Sequence, residues 1–221
     1  MINETLQARI IENKDWATIL FVISFILIAI TKSTFENRFN DFSKLIFSNK
    51  YLKMYKDSSH LMSWFNILLF FVQLISFTFF IQIFLNYLGM VSKFDGLTFL
   101  RIATLLGVFI LSKFLIEKII ATTFKIEEFQ EQFNLKKISY RTYIGVLILP
   151  INIILFYNNN IPIIVINLIL IALLALNTLT YIKSLKLYQS LIFGKLFYFI
   201  LYLCALEIAP YYFIYYWFTR S

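Results

Sequence analysis

Between Met62 and Leu88 the chain carries no charged residue. As a helix at 1.5 Å per residue that stretch extends roughly 40 Å, longer than the ~30 Å hydrocarbon core of a bilayer. A chain of 221 residues has too little surrounding material to bury such an element away from water together with others like it. There are others, because 60% of the residues are hydrophobic and only 14% are charged, the latter about half the usual soluble share. The charges gather between the apolar runs instead of alternating with them, so lipid is the expected solvent.

Cutting the sequence at its polar clusters predicts an all-α polytopic membrane protein with about six transmembrane helices. They lie at about 15–31, 62–88, 97–124, 143–157, 161–182 and 190–217 of a single transmembrane domain spanning 1–221. The first run opens at Asp15 and Trp16 and continues into Lys32 with no small-residue cleavage site, so it reads as a retained helix and not a secretory signal. Asn158, Asn159, Asn160 and Pro162 mark a tight turn between the fourth and fifth spans. Glu127 to Arg141 reads as a short solvated helical hairpin.

Orientation follows from the Lys and Arg residues of the connections, since basic loops are retained in the cytoplasm. The 31–61, 125–142 and fifth connections hold 12 of them and the opposite side 4. That places both termini outside the cytoplasm, on the periplasmic face of a bacterial inner membrane. The same distribution explains the net charge of +8 without nucleic acid, because the basic residues flank apolar runs and form no basic, aromatic-interleaved surface.

The first connection is patterned. Phe35, Phe39, Phe42 and Ile46 recur at steps of four, three and four, the spacing of one helical face. Residues 35–56 are therefore expected to lie in the interface plane with this aromatic stripe in the acyl boundary, and Arg38, Asp41 and Lys44 mostly turned away. The stripe serves either as an anchor or as a docking face for another membrane protein.

A few ionisable residues fall inside the apolar runs, where an unpaired charge at mid-bilayer costs about 3 kcal/mol on insertion scales. Glu207, in the sixth span, needs a partner that its own helix does not supply beyond Tyr211. Arg101, entering the third span from the same side, is the expected counter-ion. Lys195 with Lys113 and Glu117 would form a second cluster nearer the cytoplasm, Lys113 and Glu117 being i,i+4 neighbours on one helix. These five residues are read as a buried charge network that fixes helix register, with a proton or ion pathway and a lateral partner site as competing readings. Gln73, Gln82, Asn86, Asn152, Asn167 and Asn177 read as interhelical hydrogen-bonding groups.

Enzymatic chemistry finds little support. His60 and Cys204 are single and fall in different parts of the layout, so neither a nucleophile–base pair nor a metal site is expected, and no cofactor is implied. The five glycines are scattered and make no phosphate-cradling loop.

Two segments carry a resemblance. Asn13-Lys14-Asp15-Trp16 before the first span, and Phe197-Tyr198-Phe199-Ile200-Leu201-Tyr202-Leu203-Cys204-Ala205-Leu206-Glu207-Ile208-Ala209-Pro210 in the sixth, resemble an uncharacterised family of bacterial inner-membrane proteins classed as a domain of unknown function. The resemblance covers essentially the whole chain in length and layout, implies an inner-membrane location and implies no activity. Minimal loops and an aromatic connection point to a non-catalytic subunit or scaffold of an envelope complex for secretion or biogenesis, contacting the lipid bilayer and other integral membrane proteins. The alternative is a small solute or ion-coupled transporter in which Glu207 takes up and releases a proton.

Overall fold

The structure is a computed structural model, and it describes residues 14–45, 50–55, 63–123, 127–158 and 162–187. Seven helices occupy them: α1 (Asp15–Thr34), α2 (Glu36–Ser43), α3 (Lys50–Met54), α4 (Trp64–Tyr87), α5 (Gly96–Thr123), α6 (Glu127–Tyr157) and α7 (Ile163–Leu187). The protein is an all-α membrane protein. Among the described residues, four helices are long and apolar enough to cross a bilayer: α1, α4, α5 and the Phe133–Tyr157 part of α6. The sixth expected span, 190–217, lies outside the described residues.

Local chemistry sets the helix ends. Asp15 in the first turn and Lys32 in the last turn of α1 complement the helix dipole. Phe35 leaves helical geometry at φ −126°, ψ 49°, and α2 starts directly behind it. At the end of α4, Gly89 adopts φ 73°. Its N–H bonds Asn86 O at 3.0 Å and the Met90 N–H bonds Leu85 O at 3.1 Å, a Schellman closure in which only glycine is free of strain. Asp95 caps α5: its Oδ1 accepts the Leu97 N–H at 3.0 Å and its Oδ2 the Thr98 hydroxyl at 2.6 Å. The Thr98 hydroxyl, then the Leu97 N–H, hold the Asp95 carboxyl below the usual range.

The solvated hairpin expected over Glu127 to Arg141 does not form. That segment continues into the fourth apolar run as one 31-residue helix, with Pro150 inside it. The expected break rested on charge alone, and neither glycine nor proline occurs between Glu127 and Tyr143 to interrupt the backbone ladder. Likewise α7 runs through Lys183 and Lys186 to Leu187, so these residues lie on a helix and not in a connection.

Helix α4 is central and touches α1, α5 and α6, most extensively α6. Phe21 stacks on Phe79 at 4.2 Å and Phe35 meets Phe65 edge-on at 5.9 Å, so α1 runs antiparallel to α4. The pairs Gln73–Thr142 and Ser76–Asn152 rise together, so α4 and α6 are parallel neighbours, with α5 as the antiparallel return between them. Their approach is close: a Cβ on Gly145 would lie 2.9 Å from Gln73 Cγ and 3.0 Å from Gln73 Cα. Within lipid, apolar burial does not drive helix association, so such contacts and interhelical hydrogen bonds carry it.

Two aromatic cores close the bundle. One joins Phe21, Phe79, Phe99 and Phe156, with Trp16 packed against it. Trp16 Nε1 donates to Phe94 O at 3.1 Å, and Gln82 Nε2 donates to Ser92 O and Asp95 O, fastening the α4–α5 connection. The other, at the opposite end, joins Phe42, Leu45, Tyr51, Phe65 and Leu69. It lies beside the basic connections, and we call that end the basic end.

Candidate functional site

The candidate site is the polar, charged layer at the basic end, where α2, α3, the start of α4, the last turns of α5 and the first half of α6 meet. Its centre is Glu117, buried on α5. Lys137 Nζ of α6 reaches Glu117 Oε1 at 2.9 Å, and Gln130 Nε2 donates to Glu117 Oε2 at 3.4 Å. The i,i+4 spacing directs attention to Lys113 along the same helix, and the structure adds a bridge across to α6. Lys113 is itself buried, one turn away on the same face.

On α6, Gln130, Asn134, Lys137 and Arg141 recur at steps of four, three and four, which is one helical face. This polar stripe is written in the sequence, and reading the segment as a solvated hairpin hid it. Thr142, one position further round, donates to Gln73 Oε1 at 2.8 Å. Deeper in the bundle Asn152 Nδ2 donates to Ser76 O at 2.6 Å. Gln73 and Asn152 are thus interhelical groups, whereas Gln82 and Asn86 hold the connection after their own helix.

Arg38 is a further correction. It is 7% exposed and not turned to water, because α3 folds back over α2. Its guanidinium donates to Ser63 Oγ at 2.8 Å, Tyr51 Oη at 3.4 Å and Asn66 Oδ1 at 3.5 Å, and lies over the Phe65 and Tyr55 rings at 4.5 and 4.8 Å. Burial raises the Tyr51 hydroxyl above its ordinary pKa, opposed by the Arg38 charge.

The aromatic stripe also faces elsewhere than expected. Phe42 is buried against Phe65 at 5.7 Å and Tyr143 at 5.6 Å, and Phe35 and Phe39 pack on the same core. Helical periodicity reveals an apolar face but not whether lipid or protein covers it, and here α4 and α6 cover it. Ile46 lies outside the described residues.

Of the expected charge network, Lys113 and Glu117 are both buried, one turn apart on α5, and Arg101 is exposed near the start of that helix. Arg101 and Lys118, also exposed, are separated by about 25 Å of helix, a spacing that lets both reach the interfaces of a bilayer. Glu207 and Lys195 lie outside the described residues, as do His60 and Cys204. Among the described residues no group of three His, Cys, Asp or Glu side chains could hold a metal ion.

The profile of a domain of unknown function, DUF4271, matches residues 17–218. The chain belongs to this family. The match takes in α1 from Ala17 onward and the whole of α4 to α7, so the charged layer lies within the DUF4271 domain. No curated protein and no solved structure matches the chain.

Proposed function

We propose that this DUF4271 protein is a non-catalytic, multi-pass subunit or scaffold of an envelope complex, of the secretion or biogenesis kind, in a bacterial inner membrane. The observation that carries the reading is how its buried polar groups are used. Lys137–Glu117 joins α6 to α5, Thr142–Gln73 and Asn152–Ser76 join α6 to α4, and Arg38 joins α2 to α3 and the start of α4. Polar side chains committed to ties between helices build a frame, whereas a solute path needs them turned to a lumen. The 12-to-4 distribution of Lys and Arg supports a cytoplasmic basic end and periplasmic termini.

Broad apolar surface remains on α1, α5 and α7, including Val22, Ile26, Leu100, Val108, Leu115 and Leu168, for lipid or for neighbouring membrane proteins. The test is purification at native expression level in mild detergent, with mass measurement of the intact particle. A particle containing a second integral protein at fixed stoichiometry is expected. A homogeneous monomer that retains its fold and carries no partner would overturn the proposal.

A further inference from the structure

The groups that tie α6 to its neighbours repeat at one helical turn. Glu117 is bridged by Gln130 and Lys137, an amide and a cation seven residues apart on α6. Four residues further along the same stripe stand Asn134 and Arg141, again an amide and a cation seven apart. Glu127 and Glu131 are also four apart. Sliding α6 by one turn towards the basic end therefore brings amide to the place of amide, cation to that of cation and carboxylate to that of carboxylate, so these three exchanges leave the sign of the charge at each place as it was. Asn134 is buried, and its Oδ1 has no hydrogen-bond partner in the register described.

A separate pair at the α4–α6 contact matches the same movement. Gln73 and Asn152 are both fully buried, and each has half of its amide unused: Gln73 Nε2 is a donor, and Asn152 Oδ1 an acceptor, without a hydrogen-bond partner. The two are complementary, but Asn152 is bonded to Ser76, three residues past Gln73. Because α4 and α6 are parallel, Gln73 lies on the basic-end side of Ser76, and the movement that brings Asn152 level with it has the same direction as the exchange at Glu117. Its length is three residues of rise, about 4.5 Å, against four residues, about 6 Å, for the exchange; one turn, about 5.4 Å, serves both. A half-bonded amide in the interior of a membrane protein favours any arrangement that completes it.

We propose that the α6–α7 hairpin has a second register on α4 and α5, one turn towards the basic end. In it Asn134 and Arg141 replace Gln130 and Lys137 at Glu117, and Gln73 and Asn152 exchange two amide hydrogen bonds. One-turn jumps of one packed helix past another are an established form of conformational switch. The register described is the more populated. It holds Thr142–Gln73 at 2.8 Å and Lys93 Nζ–Asn158 O at 2.9 Å, Phe156 in its aromatic core, and further interactions of Lys113, Lys136 and Arg141. After the slide Leu149, and no longer Gly145, stands opposite Gln73, so α4 and α6 must part at that level. Gly145 thus acts as the detent of the device, and whatever loosens its contact moves population to the second register. The switch stands independently of the scaffold reading.

The test measures distances between spin labels in the full-length protein in detergent, with the single native cysteine, Cys204, replaced by serine. Labels on Trp64→Cys of α4 and Ile154→Cys of α6, both exposed and at opposite ends of the helix pair, should come about 5 Å closer in the second register. Labels on Ile26→Cys of α1 and Leu111→Cys of α5, also exposed, should keep one distance throughout. Gly145→Ala, which spoils the close approach, should raise the share of the shorter Trp64–Ile154 distance about ten-fold. Thr142→Val removes a tie of the described register alone and leaves Gly145 in place, and it should raise that share in the same direction. Adding Asn152→Leu to either variant should abolish the shorter distance. A single, parent-like distance in both the Gly145→Ala and the Thr142→Val proteins would overturn the proposal, and so would a shorter distance that keeps its share when Asn152→Leu is added.

Discussion

Gly145→Ala tests whether α4 and α6 are held at the separation seen. In the middle of a helix this exchange ordinarily stabilises, by about 1 kcal/mol of propensity. Here the new Cβ would sit 2.9 Å from Gln73 Cγ, 3.0 Å from its Cα and 3.1 Å from its Cβ. The Cα is backbone and cannot rotate away, so the helices must part by about 0.5–1 Å to restore ordinary carbon–carbon contact, a gap that forfeits a quarter to a half of each neighbouring dispersion contact.

Overpacking of this kind costs about 1–3 kcal/mol. The same movement stretches Thr142–Gln73 at 2.8 Å and Asn152–Ser76 at 2.6 Å, each worth about 0.6 kcal/mol in membrane proteins. Set against the propensity gain, the net is a loss of about 1–3 kcal/mol, or a melting temperature lower by roughly 2–12 °C for a chain of this length. Gly107→Ala is the control, because its Cβ would meet only Leu74 Cδ atoms at 3.7 and 3.8 Å, and it should be neutral or stabilising. Thermal unfolding of both variants in one detergent decides the matter. A Gly145→Ala protein at least as stable as the parent, or a Gly107→Ala protein that loses as much, refutes the close-approach reasoning.

Lys137→Met removes the cross-helix cation from buried Glu117 and should destabilise by about 3–5 kcal/mol. Adding Glu117→Leu should restore most of that, and a double-mutant cycle with no coupling between the sites would argue against the bridge. Gly89→Ala puts a Cβ on a residue at φ 73° and should cost about 1 kcal/mol, seen as faster hydrogen exchange at the Met90 amide and unchanged exchange in the middle of α4. Tyr51 has its folded pKa raised by burial, so its contribution to stability is complete below the unfolded value of about 10 and is lost as pH climbs from there through the folded value. Alkaline unfolding should therefore start at higher pH in Tyr51→Phe than in the parent, and coincident transitions would show that Tyr51 is not buried as described.

Much of the fold is legible in the sequence, and the reasons differ by element. The uncharged run expected at 62–88 is α4 at Trp64–Tyr87, and the run at 97–124 is α5 at Gly96–Thr123, because length and apolarity alone decide such helices. The start of α6 is not legible in the sequence, since Lys137 looks like solvated charge until the facing carboxylate of Glu117 on α5 is known. The stripe of Phe35, Phe39 and Phe42 is legible as a helix face, but its direction depends on Phe65 and Tyr143, which are distant in sequence. Arg38 is hidden for the same reason: a cation caged by Tyr51, Tyr55 and Phe65 leaves no periodic trace.

The parallel packing of α4 on α6 also orders events during synthesis. Gln73 lies 69 residues before Thr142, and Ser76 lies 76 before Asn152. At about 5–20 residues per second, Gln73 and Ser76 are in place for roughly 3–15 s before their hydrogen-bonding partners on α6 exist. For that interval the amide of Gln73 has to be sheltered by the insertion machinery or by water, and α4 becomes a settled membrane helix only when α6 arrives. Chains arrested between α5 and α6 should therefore be the ones most readily degraded.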